Sequence, residues 1–345
     1  MPHLAVHHCH FGKAYATGIG GCACRMLKLH SFLLLVVPRA RHVRGLSLRY
    51  DLHCHSTFSD GTLTPTEVVE RAAARGVDVL SLTDHDGVSG LDEARVAAAR
   101  TGVSFVNGVE LSVSWRDLTI HVVGLGIDPT SEPLLAGLER IRSGRIGRAR
   151  QMSDGLAAVG IDGAFEGAIR YAANEQLLSR THFARFLVDG GHVKDVREVF
   201  KRYLTPGKPG YVDHVWASFD DAIGWIHGAG GQAVLAHPGR YKTDRNGMRV
   251  LLDEFKSNGG EAIEVLTSSH TSAQYSEYTA YALRYGFLAS CGSDYHGPGE
   301  SWMDFGELPP LPPGLTPVWH QWPQARAKAQ ADARAPSQLP HGAAQ

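Results

Sequence analysis

The stretch LSLRYDLHCH at residues 46–55 indicates the fold, since apolar and polar residues alternate along it as they do in a β-strand. It is followed by Thr64-Pro65-Thr66-Glu67, a capping box with proline in the first turn of a helix, and by Gly76, which is suited to end that helix. A second run rich in β-forming residues occupies residues 77–82. We therefore predict a strand–helix–strand unit, which is the repeating element of a parallel sheet.

The same alternation continues along the chain and is interrupted once by a helical segment. Further strands are predicted at about 103–106, 120–125, 232–236, 262–266 and 287–290, and further helices at about 90–100, 218–228, 248–258 and 272–285. Residues 132–204 are rich in Arg, Ala and Leu and contain no clear strand. The predicted architecture is α/β: a βα barrel built from residues 48–131 and 216–322, with an inserted helical subdomain at residues 132–215.

The two ends of the chain differ from the rest in composition. Residues 1–47 contain no Asp or Glu, and residues 323–345 are rich in Ala, Gln and Pro. Both segments are predicted to be disordered, because neither has the apolar pattern that a packed core requires. For the first segment the alternative is a metal-binding tract made by its His and Cys residues.

The overall composition excludes several classes of function. The net charge of the 345 residues is −1, without the basic surplus of a general binder of long nucleic acid. No apolar run approaches the roughly 18 residues of a membrane span. Three of the five cysteines precede residue 48, so the chain has no disulfide framework and a cytoplasmic location is expected. No obligate protein partner is inferred.

Histidines and carboxylates concentrate where the predicted strands end, and these ends meet on one face of a βα barrel. Residues two apart on a strand point the same way, so that each H-x-H or D-x-H pair can hold one ion. The candidate ligands are His53, His55, Asp60, His85, Glu110, His237, Asp294 and His296. His121 lies near the start of its predicted strand, and the pattern alone leaves its role open. Cys54 faces the opposite side of its strand and is predicted to lie in the core.

These donors are nitrogen and oxygen without thiolate, a set that suits Mn²⁺, Zn²⁺ or Fe²⁺. The carboxylates cannot neutralise two or three divalent ions, so the site would attract a phosphate. A hydroxide bridging the metals, held by these ligands, is the expected nucleophile at phosphorus. The pattern therefore predicts a metal-dependent phosphoesterase.

At these residues the sequence resembles the PHP (polymerase and histidinol phosphatase) family over about residues 49–320. The matching motifs are Asp51-Leu52-His53-Cys54-His55-Ser56, Ser59-Asp60-Gly61, Thr83-Asp84-His85-Asp86, Gly108-Val109-Glu110, Ala236-His237-Pro238 and Gly292-Ser293-Asp294-Tyr295-His296. It is most similar to the branch with 3′,5′-nucleoside bisphosphate phosphatases and 5′→3′ exoribonucleases. Asp60 stands where histidinol phosphatases tend to carry a histidine, and residues 179–187, 203–212 and 236–241 resemble that branch.

The resemblance implies a distorted seven-stranded βα barrel with a helical lid and two or three divalent ions, with Mn²⁺ favoured over Fe²⁺ or Zn²⁺. One ion would take His53, His55, Glu110 and Asp294, a second Glu110, His121 and His237, and a third Asp60, His85 and His296. The implied substrate is a 3′,5′-bisphosphonucleotide or a short 5′-phosphorylated RNA, which share a 5′-phosphate and a scissile phosphate on the 3′ oxygen. Candidate phosphate-binding residues are Arg180, His182, Lys208 and Arg240.

Three other interpretations remain open from the sequence. The enzyme could act on another small phosphomonoester such as histidinol phosphate, or the chain could be a non-catalytic PHP module that only binds metal. An amidohydrolase would also begin with H-x-H on a barrel strand, but it normally needs a metal-bridging lysine on a strand, and no Lys is placed so. Trp115 and Tyr241 could either stack on a base or pack in the core.

Overall fold

A computed structural model describes residues 48–323, and its seven strands form one sheet in which each strand pairs with its neighbours in sequence. The strands are β1 (Tyr50–Asp51), β2 (Val79–Leu82), β3 (Ser104–Trp115), β4 (Leu118–Leu125), β5 (Gln232–Leu235), β6 (Ala262–Thr267) and β7 (Leu288–Gly292). The segment after β1 also pairs with β7, because the Leu52 N–H donates to the Cys291 carbonyl at 3.0 Å. The sheet is therefore a nearly closed barrel, and the predicted fold class is confirmed.

Close approach of the first and last strands requires a glycine at position 292. A Cβ on Gly292 would lie 2.6 Å from the backbone nitrogen of His53, which is too short for any side chain. Regular pairing of β1 covers only Tyr50–Asp51, so the strand predicted over residues 46–55 is too long. The reason is that the backbone beyond Asp51 bonds to the loop after β7, where the Asp294 N–H donates to the His53 carbonyl at 2.8 Å.

The helices follow the predicted order along the chain. They are α1 (Pro65–Ala74), α2 (Leu91–Thr101), α3 (Glu132–Ser143), α4 (Arg145–Ala157), α5 (Ala164–Ile169), α6 (Arg180–Asp189), α7 (Val196–Val199), α8 (Phe219–Gly228), α9 (Arg245–Ser257) and α10 (Ser272–Tyr285). The capping box predicted at the start of α1 is present, with Thr64 and Glu67 each accepting from the other's backbone N–H. None of these described helices is long and apolar enough to cross a membrane.

The expectation of an all-parallel sheet is wrong for β4. Only Arg116 and Asp117 separate β3 from β4, and Arg116 adopts a φ of 54°. Two residues can make a hairpin but not the longer crossover that a parallel pair needs, so β4 runs antiparallel to both β3 and β5. Because of this reversal, the beginning of β4 lies at the same end of the barrel as the carboxyl ends of the parallel strands. A second difference concerns β3. The prediction placed this strand at residues 103–106, but it extends over Ser104–Trp115 and carries Glu110 in its middle.

The helices between β4 and β5 form a second core. Side chains of α4, α5 and α6, including Met152, Phe165 and Phe183, pack with each other and not with the barrel strands. The first helix of this segment, α3, instead buries Leu134 and Leu138 in the barrel core. The predictions for residues 1–47 and for the C-terminal tail concern residues outside the described range.

Candidate metal centre

The structure brings all nine candidate ligands together at one mouth of the barrel. Their donor atoms form four overlapping groups in which all atoms lie within 4.8 Å of one another: His55, Asp60, His85 and His296; His53, His55 and Asp294; His53, Glu110 and His237; and His85, Glu110 and His121. His121 is included because the antiparallel β4 places its early residues beside Glu110. The geometry therefore places His121 among the candidate ligands.

Glu110 lies at the centre of this cluster and is fully buried. Its oxygens lie within 3.3 Å of five imidazoles, those of His53, His55, His85, His121 and His237. Oε1 is 2.8 Å from His121 Nδ1 and 3.0 Å from His237 Nε2, whereas Oε2 is 2.9 Å from His85 Nδ1. The two oxygens thus face different groups of nitrogens, an arrangement in which one carboxylate can bridge two cations.

Two further carboxylates complete the donor set on either side of Glu110. Asp294 Oδ1 is 3.2 Å from His55 Nε2 and 3.6 Å from His53 Nε2. Asp60 Oδ1 is 3.3 Å from His296 Nε2 and 3.7 Å from His85 Nε2. All these distances are close enough for one ion to be shared between the atoms of each group.

A divalent cation fits this cluster because several of its buried atoms lack any other partner. His55 Nδ1, Asp60 Oδ1, His85 Nδ1 and Glu110 Oε2 are buried without a hydrogen bond. Nε2 of His53 and Nε2 of His55 face each other at 3.2 Å. Leaving buried polar atoms unsatisfied is costly, and cations placed between these lone pairs would remove that cost.

The surroundings keep most of the donors in the protonation state that binds a metal. Burial, with repulsion from His296 and His85, lowers the pKa of His55 to about 3, and burial with repulsion from Arg240 lowers that of His237 to about 3. Burial alone would raise the pKa of Glu110, but the neighbouring imidazoles hold it well below its usual range. His53, His85 and His296 differ, because neighbouring carboxylates outweigh the effect of burial and raise the pKa of all three, that of His85 to about 9, so cations would displace protons there.

The four residues predicted to bind substrate phosphate occupy different environments. Arg180 begins α6, directly after Ser179, whose hydroxyl donates to Asp60 Oδ2 at 3.1 Å. The Arg240 guanidinium donates to Asp294 Oδ2 at 2.8 Å and therefore lies at the metal centre. His182 is fully buried, and its Nδ1 accepts from the Ser179 N–H at 3.0 Å, so that it caps α6. Lys208 is exposed in a loop.

Two buried arginines of α4 were not among the predicted site residues. Arg145 pairs with Asp86, and its guanidinium stacks over the ring of Trp216 at 4.6 Å. Arg148 also lies over Trp216, but its hydrogen bond is to the Val212 carbonyl, and it has no carboxylate partner in the described part of the chain. Burial and repulsion from Arg180 and Arg145 lower the pKa of Arg148. The signal was the three-residue spacing of Arg145 and Arg148, which places both on one face of α4.

Trp115 and Tyr241 are packing residues. Trp115 is 5% exposed, and its indole N–H donates to Glu254. The Tyr241 hydroxyl donates to the Ala236 carbonyl and accepts from the His121 N–H. Cys54 is buried and donates to the Ser81 carbonyl, as expected for a core residue.

A nearly closed βα barrel with nitrogen and oxygen donors converging at its mouth defines the class of metal-dependent barrel hydrolases. The family profile of the PHP domain matches residues 51–268, and the chain belongs to the PHP domain family. The resemblance noted in the sequence is thereby confirmed. With it, the expected enzyme class, a hydrolase of phosphate esters, is confirmed as well.

Curated relatives cover nearly the whole barrel and the helical segment. A 3′,5′-nucleoside bisphosphate phosphatase from Chromobacterium violaceum is 55% identical over 282 residues, which are 82% of this chain and 99% of that protein. A 5′-3′ exoribonuclease from Haemophilus influenzae is 41% identical over 277 residues, 80% of this chain and all of that protein. A solved structure described as an amidohydrolase from C. violaceum, with sulfate and no metal, is 55% identical with a TM-score of 0.77 and covers 81% of this chain and 96% of that one.

Proposed function

We propose that this protein hydrolyses the phosphate ester on the 3′ oxygen of 5′-phosphorylated nucleotides, with divalent cations held at the barrel mouth. The substrates would be 3′,5′-bisphosphonucleotides, which yield 5′-nucleotides, and short 5′-phosphorylated RNA, degraded in the 5′→3′ direction. The phosphatase and the exoribonuclease among the relatives carry these two activities in their names. Both substrates present the same two phosphates at the same separation.

The observation that carries the proposal is the arginine pocket beside the candidate metal centre. It consists of Arg148 and Arg180, and neither guanidinium has a carboxylate partner in the described residues. Arg180 follows Ser179, which donates to Asp60 at the mouth. Burial and repulsion from Arg180 lower the pKa of Arg148, and burial and repulsion from Arg240 lower that of Arg180, as expected for guanidinium groups near one another. A 5′-phosphate would neutralise this buried positive charge with charge-assisted hydrogen bonds.

The candidate ligands would hold up to three ions. Their imidazole and carboxylate donors suit Mn²⁺, Fe²⁺ or Zn²⁺, and we favour Mn²⁺ because the resemblance to the PHP family implies it. One ion would lie among His53, His55 and Asp294, with Glu110 shared between this ion and a second at His121 and His237. The third would lie among Asp60, His85 and His296. Such ions supply Lewis acidity that activates water and stabilises the leaving oxygen.

The chain's own residues would then orient the substrate. Arg148 and Arg180 would bind the 5′-phosphate and so place the 3′-phosphate over the cations, which converts binding energy into orientation. Arg240 is bound to Asp294 and lies where it could donate to an oxygen of the scissile phosphate. The free, buried Cys54 and Cys291 fit a reducing compartment, and we include a cytoplasmic location in the proposal.

A substrate panel tests the proposal. Purified protein with Mn²⁺ is assayed against 3′-phosphoadenosine 5′-phosphate, a 5′-phosphorylated RNA pentamer and histidinol phosphate. We expect the first to be preferred over histidinol phosphate by about 100-fold in kcat/KM, since one phosphate-binding contact would be lost. The RNA should be shortened from its 5′ end. Equal or faster hydrolysis of histidinol phosphate would contradict the proposal, as would inertness with every divalent cation.

A further inference from the structure

Glu264 in β6 is a buried carboxylate that no step above has used. It is 1% exposed and lies behind the candidate metal centre, inside the barrel. Its Oε1 is 2.8 Å from His53 Nδ1, and its Oε2 accepts from the His237 backbone N–H at 2.6 Å. One side chain therefore contacts two candidate ligands that come from different strands. Carboxylates are rarely buried unless hydrogen bonds compensate for the loss of water. The two contacts of Glu264 therefore explain how it is tolerated in the barrel interior.

We propose that Glu264 is a positioning residue that sets the tautomer of His53 and the backbone conformation of His237, and through both raises the affinity for the cations. This inference rests on the metal site of the proposed function and deepens it. Glu264 would not touch the substrate or the ions.

The tautomer follows from which atoms are able to donate. The His237 backbone nitrogen can only donate, so Glu264 Oε2 accepts there, and the other carboxylate oxygen is left to accept from His53. The proton of His53 then sits on Nδ1 and leaves the lone pair on Nε2. That Nε2 points to the mouth, 3.3 Å from Glu110 Oε2 and 3.6 Å from Asp294 Oδ1. A carboxylate behind a ligating histidine is a known means of fixing ring orientation and increasing basicity.

The second contact holds a strained backbone. His237 has φ 30° and ψ 55°, a left-handed conformation that residues with a Cβ rarely adopt. Its N–H is fixed by Glu264 at this point, and its imidazole Nε2 reaches Glu110 Oε1 at 3.0 Å. Without the bond from Glu264, the turn would relax towards ordinary angles and carry the imidazole away from Glu110.

The substitution Glu264→Gln separates positioning from packing, because glutamine has nearly the same volume but only one acceptor oxygen. If its oxygen accepts from His237, its amide NH₂ faces His53 Nδ1. That nitrogen must then accept, and the proton moves to Nε2, where the cation would bind. If the amide is reversed, its NH₂ opposes the His237 N–H. In either orientation one ligand is impaired while the core stays filled.

Glu261 provides a matched control just before the start of β6. Its Oε2 accepts from the Ala233 N–H at 2.9 Å, and the same oxygen lies 3.1 Å from His227 Nε2. Its contacts resemble those of Glu264, but its side chain is 38% exposed and none of its partners is a candidate ligand. Glu261→Gln therefore makes the same chemical change away from the mouth.

The experiment measures Mn²⁺ binding to metal-free wild type, E264Q and E261Q by the electron paramagnetic resonance of free Mn²⁺, together with thermal unfolding of each metal-free protein. We expect E264Q to bind at least one Mn²⁺ about 10- to 100-fold more weakly, with a metal-free Tm close to that of wild type. E261Q should bind as wild type does. Unchanged Mn²⁺ affinity in folded E264Q would overturn the inference, as would an equal loss in E261Q.

A second variant covers the case in which E264Q does not fold. Glu264→Asp keeps the charge but is too short to reach both partners, so it should bind Mn²⁺ several-fold more weakly, and unchanged affinity would again overturn the inference. Failure of the proposed function would look different. A wild type that binds Mn²⁺ but hydrolyses none of the nucleotides would reject the substrate class and leave the role of Glu264 intact.

Discussion

The barrel mouth and the arginine pocket of the helical segment are both buried and rich in charged groups. In each of them, some of these groups lack a partner of opposite charge or a hydrogen bond among the described residues. At the mouth, oxygens of Glu110 and Asp60 converge with imidazole nitrogens, and several of these buried atoms lack a hydrogen bond. In the pocket, Arg148 and Arg180 donate to backbone carbonyls, and neither pairs with a carboxylate of residues 48–323. The first region therefore needs cations and the second needs an anion. Once cations occupy the mouth, each region would attract one phosphate of the proposed substrate, so changes in the two regions should differ in which substrates they affect.

Removal of the metals should have the largest effect, because every substrate depends on the mouth. Dialysis against a chelator is expected to lower kcat by at least about 10⁴-fold, and added Mn²⁺ should restore it. Mn²⁺ should also raise the Tm of the metal-free protein, since a ligand that binds only the folded state stabilises it. Full activity in a chelated sample with no measurable metal would contradict the assignment of the chemistry to cations at the mouth.

Glu110→Gln should lower kcat by about 10³-fold on all substrates alike, because it removes the one carboxylate shared between two groups of imidazoles. The measurement is steady-state hydrolysis of 3′-phosphoadenosine 5′-phosphate and of 3′-AMP, with metal content determined in parallel. Glu67→Gln, in the exposed capping box of α1, is the control and should leave both rates unchanged. A loss of activity on only one of the two substrates would mean that the mouth also contributes to substrate selection.

Asp86→Asn should destabilise the protein, because it breaks the buried ion pair that joins the loop after β2 to Arg145 of α4. Asp86 is fully buried, accepts from the Ser112 N–H and pairs with the buried Arg145. Asparagine keeps the hydrogen bonds to Ser112 but leaves a guanidinium buried without its counter-charge. We expect the free energy of unfolding to fall by about 3 kcal/mol, measured by urea denaturation. A change below about 0.5 kcal/mol would show that the pair contributes little.

Arg148→Met should raise KM for 3′-phosphoadenosine 5′-phosphate by about 30-fold, the value of one charge-assisted hydrogen bond, with little change in kcat. Methionine keeps the apolar contact with Trp216. Arg150→Met is the matched control, because Arg150 is on the same helix but stacks on Phe165 at 4.3 Å and is exposed. A similar KM increase in both variants would assign the effect to general electrostatics rather than to the pocket.

Lys208→Ala should have the smallest effect, below about 3-fold on either small substrate. Lys208 is exposed, and a single surface charge contributes little at physiological salt. Steady-state assays at two ionic strengths would check this. A loss comparable to that of Arg148→Met would extend the pocket to the loop that carries Lys208.

Local patterns predicted much of this structure. Alternating residues and capping signals located the helices and most of the strands. The pairs His53/His55 and Asp294/His296 marked the mouth, but both lie just beyond the regular strands β1 and β7, and Asp294 has a left-handed φ of 53°, so strand alternation is not what aligns them. The reversal of β4 was missed, since an apolar strand looks the same in either direction and only the short connection at Arg116–Asp117 reveals the hairpin.

Arg148 and Glu264 were missed for another reason. Their roles depend on partners distant in sequence: Trp216 lies 68 residues after Arg148, and His53 lies 211 residues before Glu264. A glutamate in a strand has no local pattern that reports such a contact, and the three-residue spacing of Arg145 and Arg148 marks a helix face without showing what that face contacts. Burial was the missing information, and only the folded chain supplies it.

The central claim is that the mouth performs the chemistry while the arginine pocket selects the 5′-phosphate. The most direct measurement compares kcat/KM for 3′-phosphoadenosine 5′-phosphate and for 3′-AMP, which has the same scissile bond without the 5′-phosphate. Wild type should prefer the former by about 100-fold, and the double variant Arg148→Met, Arg180→Met should lose that preference while keeping 3′-AMP hydrolysis within about 3-fold. An unchanged preference in the double variant, or an equal fall for both substrates, would contradict the claim.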